Sequence, residues 1–134
     1  MRKKALIIVD VQKDFCPEGA LAVSDGNRVI NPLNRMNIFA IQDDWERLIS
    51  RDWHRFLNII EKFIAIIKRM LSFLTIGLYQ PKKAHFEKWP IHCVQNTKGA
   101  EFHPDLNIKG MTIITKGTNP YQNGYSAFEG KDEN

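Results

Sequence analysis

The feature that most limits how this chain can fold is residues 5 to 10, Ala-Leu-Ile-Ile-Val-Asp. A continuous apolar run rich in β-branched residues is the pattern of a strand buried on both faces of a parallel sheet. The run stops at a carboxylate. Asp10 then stands at the carboxyl end of a strand, where open α/β sheets gather ligands and catalytic groups. At this stage a simple turn-capping role stays open to it as well.

A chain of 134 residues makes one domain at most, and 43% hydrophobic residues suffice to bury a core. The net charge of +4 comes from lysines and arginines spread along the chain. That argues for solubility and against nucleic acid as a partner. Cys16 and Cys93 lie far apart and form no paired motif, so no disulfide framework is indicated. The basic start, Met-Arg-Lys-Lys, is followed by too short an apolar run for a signal peptide. A cytoplasmic location is expected.

Further strands and one helix follow from local pattern. Val11 to Ala22 is punctuated by Pro17 and Gly19 and reads as a loop. From Asp25-Gly26-Asn27 onward, Val29, Ile30, Leu33, Met36 and Ala40 keep helical spacing, with Asp25 or Asn27 as N-cap and Pro32 admissible only near the start. Trp45 to Ser50 predicts a second strand that delivers Asp52 and His54. Met111 to Thr115 predicts a third, ending at Lys116-Gly117, which sets a cation opposite Asp10.

The densest chemistry lies in His85 to Leu106. Three of the four histidines fall there, and the fourth sits in Arg51-Asp52-Trp53-His54. Imidazoles and a carboxylate suit a divalent metal, although spacing alone leaves this open. Trp89-Pro90 breaks any helix, so His85, Trp89 and His92 should share an irregular loop able to fold over a site. His103, directly before Pro104, is read as a turn histidine rather than a ligand.

Residues 56–78 form a separate unit. At 100° per residue, Asn58, Glu61, Lys62, Ala65, Lys68, Arg69 and Ser72 fall within an arc of about 120°, and apolar side chains fill the remainder. The charges interrupt the segment well inside the length of a membrane span, so no transmembrane segment is expected. A core or dimer-interface helix, a membrane-surface helix and a lid remain open.

Five stretches, taken together, resemble one family. They are Ile-Ile-Val-Asp-Val-Gln-Lys-Asp-Phe, Arg-Asp-Trp-His, His-Phe-Glu-Lys-Trp-Pro-Ile-His-Cys-Val, Gly-Ala-Glu-Phe-His-Pro-Asp-Leu, and Lys-Gly-Thr followed by Gly-Tyr-Ser-Ala-Phe-Glu-Gly. In this order they are similar to the nicotinamidase/pyrazinamidase branch of the isochorismatase-like hydrolases. The resemblance covers residues 1–54 and 85–130. It implies an α/β fold, a Rossmann-like parallel sheet flanked by helices, with residues 55–84 as an amphipathic helical insert.

Carried over by position, the resemblance implies that Asp10 and Lys116 belong to a Cys-Asp-Lys triad. It implies Asp52, His54, His85 and His92 as metal ligands, and Phe15 and Trp89 as the aromatic pair around a pyridine ring. The ion would be zinc, with iron or manganese also compatible. This ligand set separates the amidase branch from the isochorismatase branch. The implied reaction is attack of a cysteine on the carboxamide of nicotinamide, with the aspartate taking the thiol proton and passing it to departing ammonia. The family nucleophile stands on a later strand-to-helix turn, and neither Cys16 nor Cys93 occupies it. Residues 1–134 are therefore expected to be a single domain incomplete at its C-terminus. Two other readings stand beside the amidase: a metal- and pyridine-binding chain without turnover, and an interaction or membrane-surface module that uses 56–78, with a second copy or a partner among its possible contacts.

Overall fold

Three parallel strands carry the fold in a computed structural model that describes residues 3–74 and 85–132. They are β1 (Ala5–Val9), β2 (Glu46–Asp52) and β3 (Thr112–Lys116). A two-residue strand, β4 (Lys131–Asp132), pairs antiparallel with β3, and the sheet order is β1-β2-β3-β4. The sheet is therefore mixed, and the expected parallel arrangement holds for its first three strands. No β pattern in Lys131–Asp132 announces the fourth.

Both inner strands run further than their apolar cores. β2 extends to Asp52 and β3 to Lys116 because Arg51 pairs with Thr115 and Asp52 with Lys116 in the ladder. Pairing satisfies the backbone there, so polar side chains can occupy strand positions. Trp53 N continues the ladder by donating to Lys116 O at 2.9 Å.

β1 departs from expectation in its burial. Leu6 and Ile8 face the core, but Ile7 and Val9 are 53% and 57% exposed. β1 is an edge strand here, covered on one face. The physical reason is direct: α1 (Ile30–Gln42) packs against β1 and β2 on the core side, and nothing among the described residues covers the other face to the same degree. The core itself joins Ile8, Val11, Ile30, Ile49, Leu106 and Met111.

A 3-10 turn, Gly26–Val29, leads into α1. Pro32 sits in the first turn of α1, where its missing N–H costs nothing. The expected side-chain cap is not made. Asp25 adopts φ 57° and its carboxylate meets Arg28 at 3.4 Å instead. Buried Asn37 fastens the helix to the loop before β3, donating to Asn107 O at 3.0 Å and accepting from Arg47 at 3.1 Å.

α2 spans Ile59–Leu74, inside the segment expected to be helical. It starts at Ile59 because Asn58 and Glu61 form a capping box: Glu61 N donates to Asn58 Oδ1 at 2.9 Å and Asn58 N to Glu61 Oε2 at 3.0 Å. Phe56 thus precedes the helix. Residues 75–84, which include the end of the expected helix and the polar turn after it, lie outside the described residues. No helix among the described residues is long and apolar enough to cross a membrane.

The one-sided core makes a specific demand. Ile49→Ala, at a fully buried site, should lower unfolding stability by about 2–5 kcal/mol. Ile7→Ala, on the open face of β1, should cost less than about 1 kcal/mol. Urea unfolding of the two variants checks the difference; equal losses would contradict the placement of β1.

Candidate metal centre and adjoining charge network

The parallel register brings three charged side chains to one sheet edge. Lys116, 3% exposed, places Nζ 2.6 Å from Asp52 Oδ1 and 2.9 Å from Asp10 Oδ2. Ser50 Oγ donates to the other oxygen of Asp10 at 2.7 Å. Burial works to raise the Asp52 carboxyl, but its polar contacts with His54 and Lys116 outweigh that and hold it below its ordinary value. Burial likewise works against the Lys116 ammonium. The hydrogen bonds and charges of Asp52 and Asp10 outweigh it, so the pKa of Lys116 is raised.

Beside this network lie three buried histidines, His54, His85 and His92, whose potential ligand atoms all fall within 4.8 Å of one another. His54 stacks on His85 with ring centroids 3.8 Å apart, and His92 stands edge-on to His54 at 4.9 Å. Their unused nitrogens test the fit of a metal. His54 Nε2 and both ring nitrogens of His85 are buried without a hydrogen-bond partner. Such orphaned ring nitrogens are costly unless something binds them. Nδ1 of His54 faces Gly117 O at 3.2 Å, and Nδ1 of His92 faces Pro90 O at 2.7 Å. Those carbonyls accept from Nδ1–H and so leave Nε2 unprotonated with its lone pair free, the usual support of a metal-bound imidazole. Three imidazoles with an open side suit a divalent ion held at roughly 2.0–2.1 Å. Asp52 Oδ2 lies 3.6 Å from His54 Nε2, at the rim of the same cluster. His103 sits apart in a turn, where its Nδ1 accepts from Asp105 N at 3.2 Å.

Residues without an assigned role from sequence hold this geometry. Gln12, fully buried, clamps the backbone of Asp52: its Oε1 accepts from Asp52 N at 2.7 Å, and its Nε2 donates to Asp52 O at 2.7 Å and Ala100 O at 2.8 Å. Asp14 Oδ2 accepts from Cys93 N at 2.6 Å, which fixes the residue after His92 at φ 43°. Gly117, at φ 72°, lies so near His54 that an added Cβ would fall 2.5 Å from its Cε1. Phe86 packs against all three imidazoles, with centroids 5.2 to 6.0 Å away. The position of Gln12 two residues past Asp10, at a strand exit, was the available signal; the others depend on contacts distant in sequence.

The aromatic pair is not equivalent in its setting. Phe15 meets His92 at 5.5 Å, whereas Trp89 is 41% exposed and donates from Nε1 to Tyr125 Oη at 3.2 Å. Neither cysteine is poised as a nucleophile. Burial raises the pKa of Cys16. Burial, and then the charges of Asp52, Asp14 and Asp10, raise that of Cys93 much further.

Comparison with known proteins bears on the family and the fold. Residues 4–132 match the isochorismatase domain family. The chain is 38% identical over 130 residues to the nicotinamidase of Escherichia coli K12, covering 96% of this chain and 58% of that protein. It is 33% identical over 133 residues to the nicotinamidase/pyrazinamidase of Mycobacterium tuberculosis, covering 98% and 60%. The fold is similar to the crystal structure of the Pyrococcus horikoshii pyrazinamidase in complex with zinc, with TM-score 0.67 and 37% identity, covering 96% of this chain and 59% of that one. This chain thus spans about three-fifths of the length of these relatives.

The orphaned imidazole has a pH signature. Burial first, then the charges of His54 and His92, push His85 down to about 4 from 6.5. Below pH 6.5 the unfolded chain takes up a proton that the folded chain refuses, so stability should fall as pH drops from about 6.5 to about 4. Asp52 adds its own loss only below its ordinary value of 3.8. Melting curves in the presence of a chelator should show the fall between pH 6.5 and 4, and His85→Asn should flatten it; an unchanged profile in the variant would contradict the buried, neutral imidazole.

Proposed function

The chain belongs to the isochorismatase family, and we propose that the protein it represents hydrolyses nicotinamide and related small aromatic amides such as pyrazinamide, releasing the acid and ammonia. The curated relatives named above, at 33% and 38% identity, support that substrate class. One observation carries the reading: the Asp10–Lys116–Asp52 network and the three-histidine cluster meet at a single sheet edge.

In this reading His54, His85 and His92 hold a divalent ion, with Asp52 Oδ2 as the fourth ligand. Zinc is the proposed ion, in keeping with the zinc complex of the similar pyrazinamidase, while iron or manganese would also suit the donors. When bound, the ion supplies Lewis acidity and a docking point for the pyridine nitrogen. Phe15, set against His92, and Trp89 flank the ring. Asp10 accepts a proton from the attacking thiol and returns it to the nitrogen as the C–N bond breaks and ammonia departs; water then hydrolyses the resulting thioester, which releases the acid and restores the thiol. Its orientation is fixed by Ser50 on one oxygen and Lys116 on the other. Lys116 adds positive potential where negative charge develops. The nucleophilic thiol is neither Cys16 nor Cys93, both buried with raised pKa. Their free thiols suit the reducing cytoplasm, where we place the protein.

Two measurements test this reading. The zinc-loaded chain should bind nicotinamide at least about tenfold more tightly than benzamide, which lacks the ring nitrogen, with His92→Asn abolishing the preference. Calorimetry that finds the two ligands equal would sink the substrate assignment. Joining residues 1–132 to the remaining C-terminal portion of the Escherichia coli relative should give ammonia release from nicotinamide, and Asp10→Asn should reduce it about 10²-fold or more. An Asp10→Asn fusion as active as its parent would remove Asp10 from the chemistry.

A further inference from the structure

α2 takes no part in the chemistry above, and it exposes an apolar surface that a free domain has no reason to keep. Ile59, Ile60, Phe63, Met70 and Leu71 are 76%, 67%, 64%, 67% and 56% exposed, against 8% or less in the core. A contiguous apolar face of this kind marks an interaction surface. The polar arc is cationic. Lys62, Lys68 and Arg69 stand against the single acid Glu61, which is already engaged by Arg55 and by the Asn58 cap.

We propose that α2 docks in the plane of an anionic lipid bilayer surface, with its apolar side chains below the headgroups and Lys62 and Lys68 among them. Three features favour this occupant over a second copy of the chain. The apolar residues fill more than half of the helix circumference, so one partner helix would cover only a stripe, whereas acyl chains receive the whole face. A second copy packed on the apolar face would leave the cationic arc in water, whereas anionic headgroups complement it. The sixteen described residues of α2 make about 24 Å of helix, and Glu61, Lys62, Lys68 and Arg69 interrupt its apolar sequence well inside the length a span requires, so it lies on the bilayer instead of crossing it. The proposal goes beyond the amidase reading and stands independently of it.

Co-sedimentation of the full 134-residue chain with vesicles is the test. The chain should partition at least about tenfold more strongly to phosphatidylcholine vesicles containing about one-third phosphatidylserine than to phosphatidylcholine alone. Raising salt from about 0.1 to about 0.5 M should weaken it several-fold. Phe63→Ser with Ile67→Ser should lower partitioning about tenfold or more while the unfolding midpoint of the sheet domain is kept. Should that pair reduce helix content in solution, Lys62→Glu with Lys68→Glu decides, with an expected loss of about tenfold on anionic vesicles. Equal partitioning to both vesicle types, no partitioning of the folded chain, or a charge-reversed variant that binds like the parent would each overturn the proposal. A concentration-dependent dimer in sedimentation velocity without vesicles, broken by Phe63→Ser, would assign the face to a second copy and overturn it too.

Discussion

Lys116 is the group on which the rest of the structure depends. A buried ammonium is costly unless its partners are close and correctly placed, and removal of one partner from such a pair costs about 3–5 kcal/mol. Here the partners arrive from two other strands, Asp52 from β2 and Asp10 from the end of β1. That is possible only with Asp52 opposite Lys116 and Val9 opposite Ser50 in the ladders. A slip of one residue would turn Asp52 to the opposite face of the sheet. Charge pairing and strand register therefore specify each other, and the apolar residues of the core need only fill the space behind them.

From this centre, order spreads outward through the backbone. Gln12 clamps both the N–H and the carbonyl of Asp52, so the strand end cannot fray away from Lys116. Trp53 N is held by Lys116 O, which aims the next residue, His54, at the neighbouring loop. That loop is fixed in turn: His54 N donates to Cys93 O at 2.8 Å, and Cys93 N is held by Asp14. Positive φ at Asp10 and Cys93, 52° and 43°, puts an unfavourable backbone conformation at two positions beside this site. Gly117 removes the last obstacle by leaving room for the His54 ring. The three imidazoles are thereby gathered at one place.

Much of this was legible because it is written in local pattern. An apolar run that ends in a charged residue identifies a strand and its carboxyl edge together, which placed Asp10 and Lys116 at one site. Arg-Asp-Trp-His and the His-rich loop carried the imidazoles. Burial of β1 was not legible, since Ile7 and Val9 read as core from composition, while their exposure depends on what packs over them. β4 has no pattern of its own and exists because β3 offers an edge. The clamps made by Gln12 and Asp14, and the contact of Phe86 with His54, join residues some 32 to 88 apart in sequence, which no short window contains. The cap of α2 is hidden for a different reason: by spacing Asn58 belongs to the polar arc, yet its pairing with Glu61 makes it the cap from which the helix starts.

The exposed helix and the buried charge centre divide the chain into two physical regimes, one held by register and pairing, the other in want of an external surface. The central proposal concerns the first, that His54, His85 and His92, gathered beside the strand-end network, are ligands of one divalent ion. Zinc-edge X-ray absorption on the zinc-loaded chain and its His85→Asn variant tests it most directly. The expected result is one ion with three imidazole nitrogens at about 2.0–2.1 Å in the parent and two in the variant. A shell of oxygen donors only, or three imidazoles retained without His85, would contradict it.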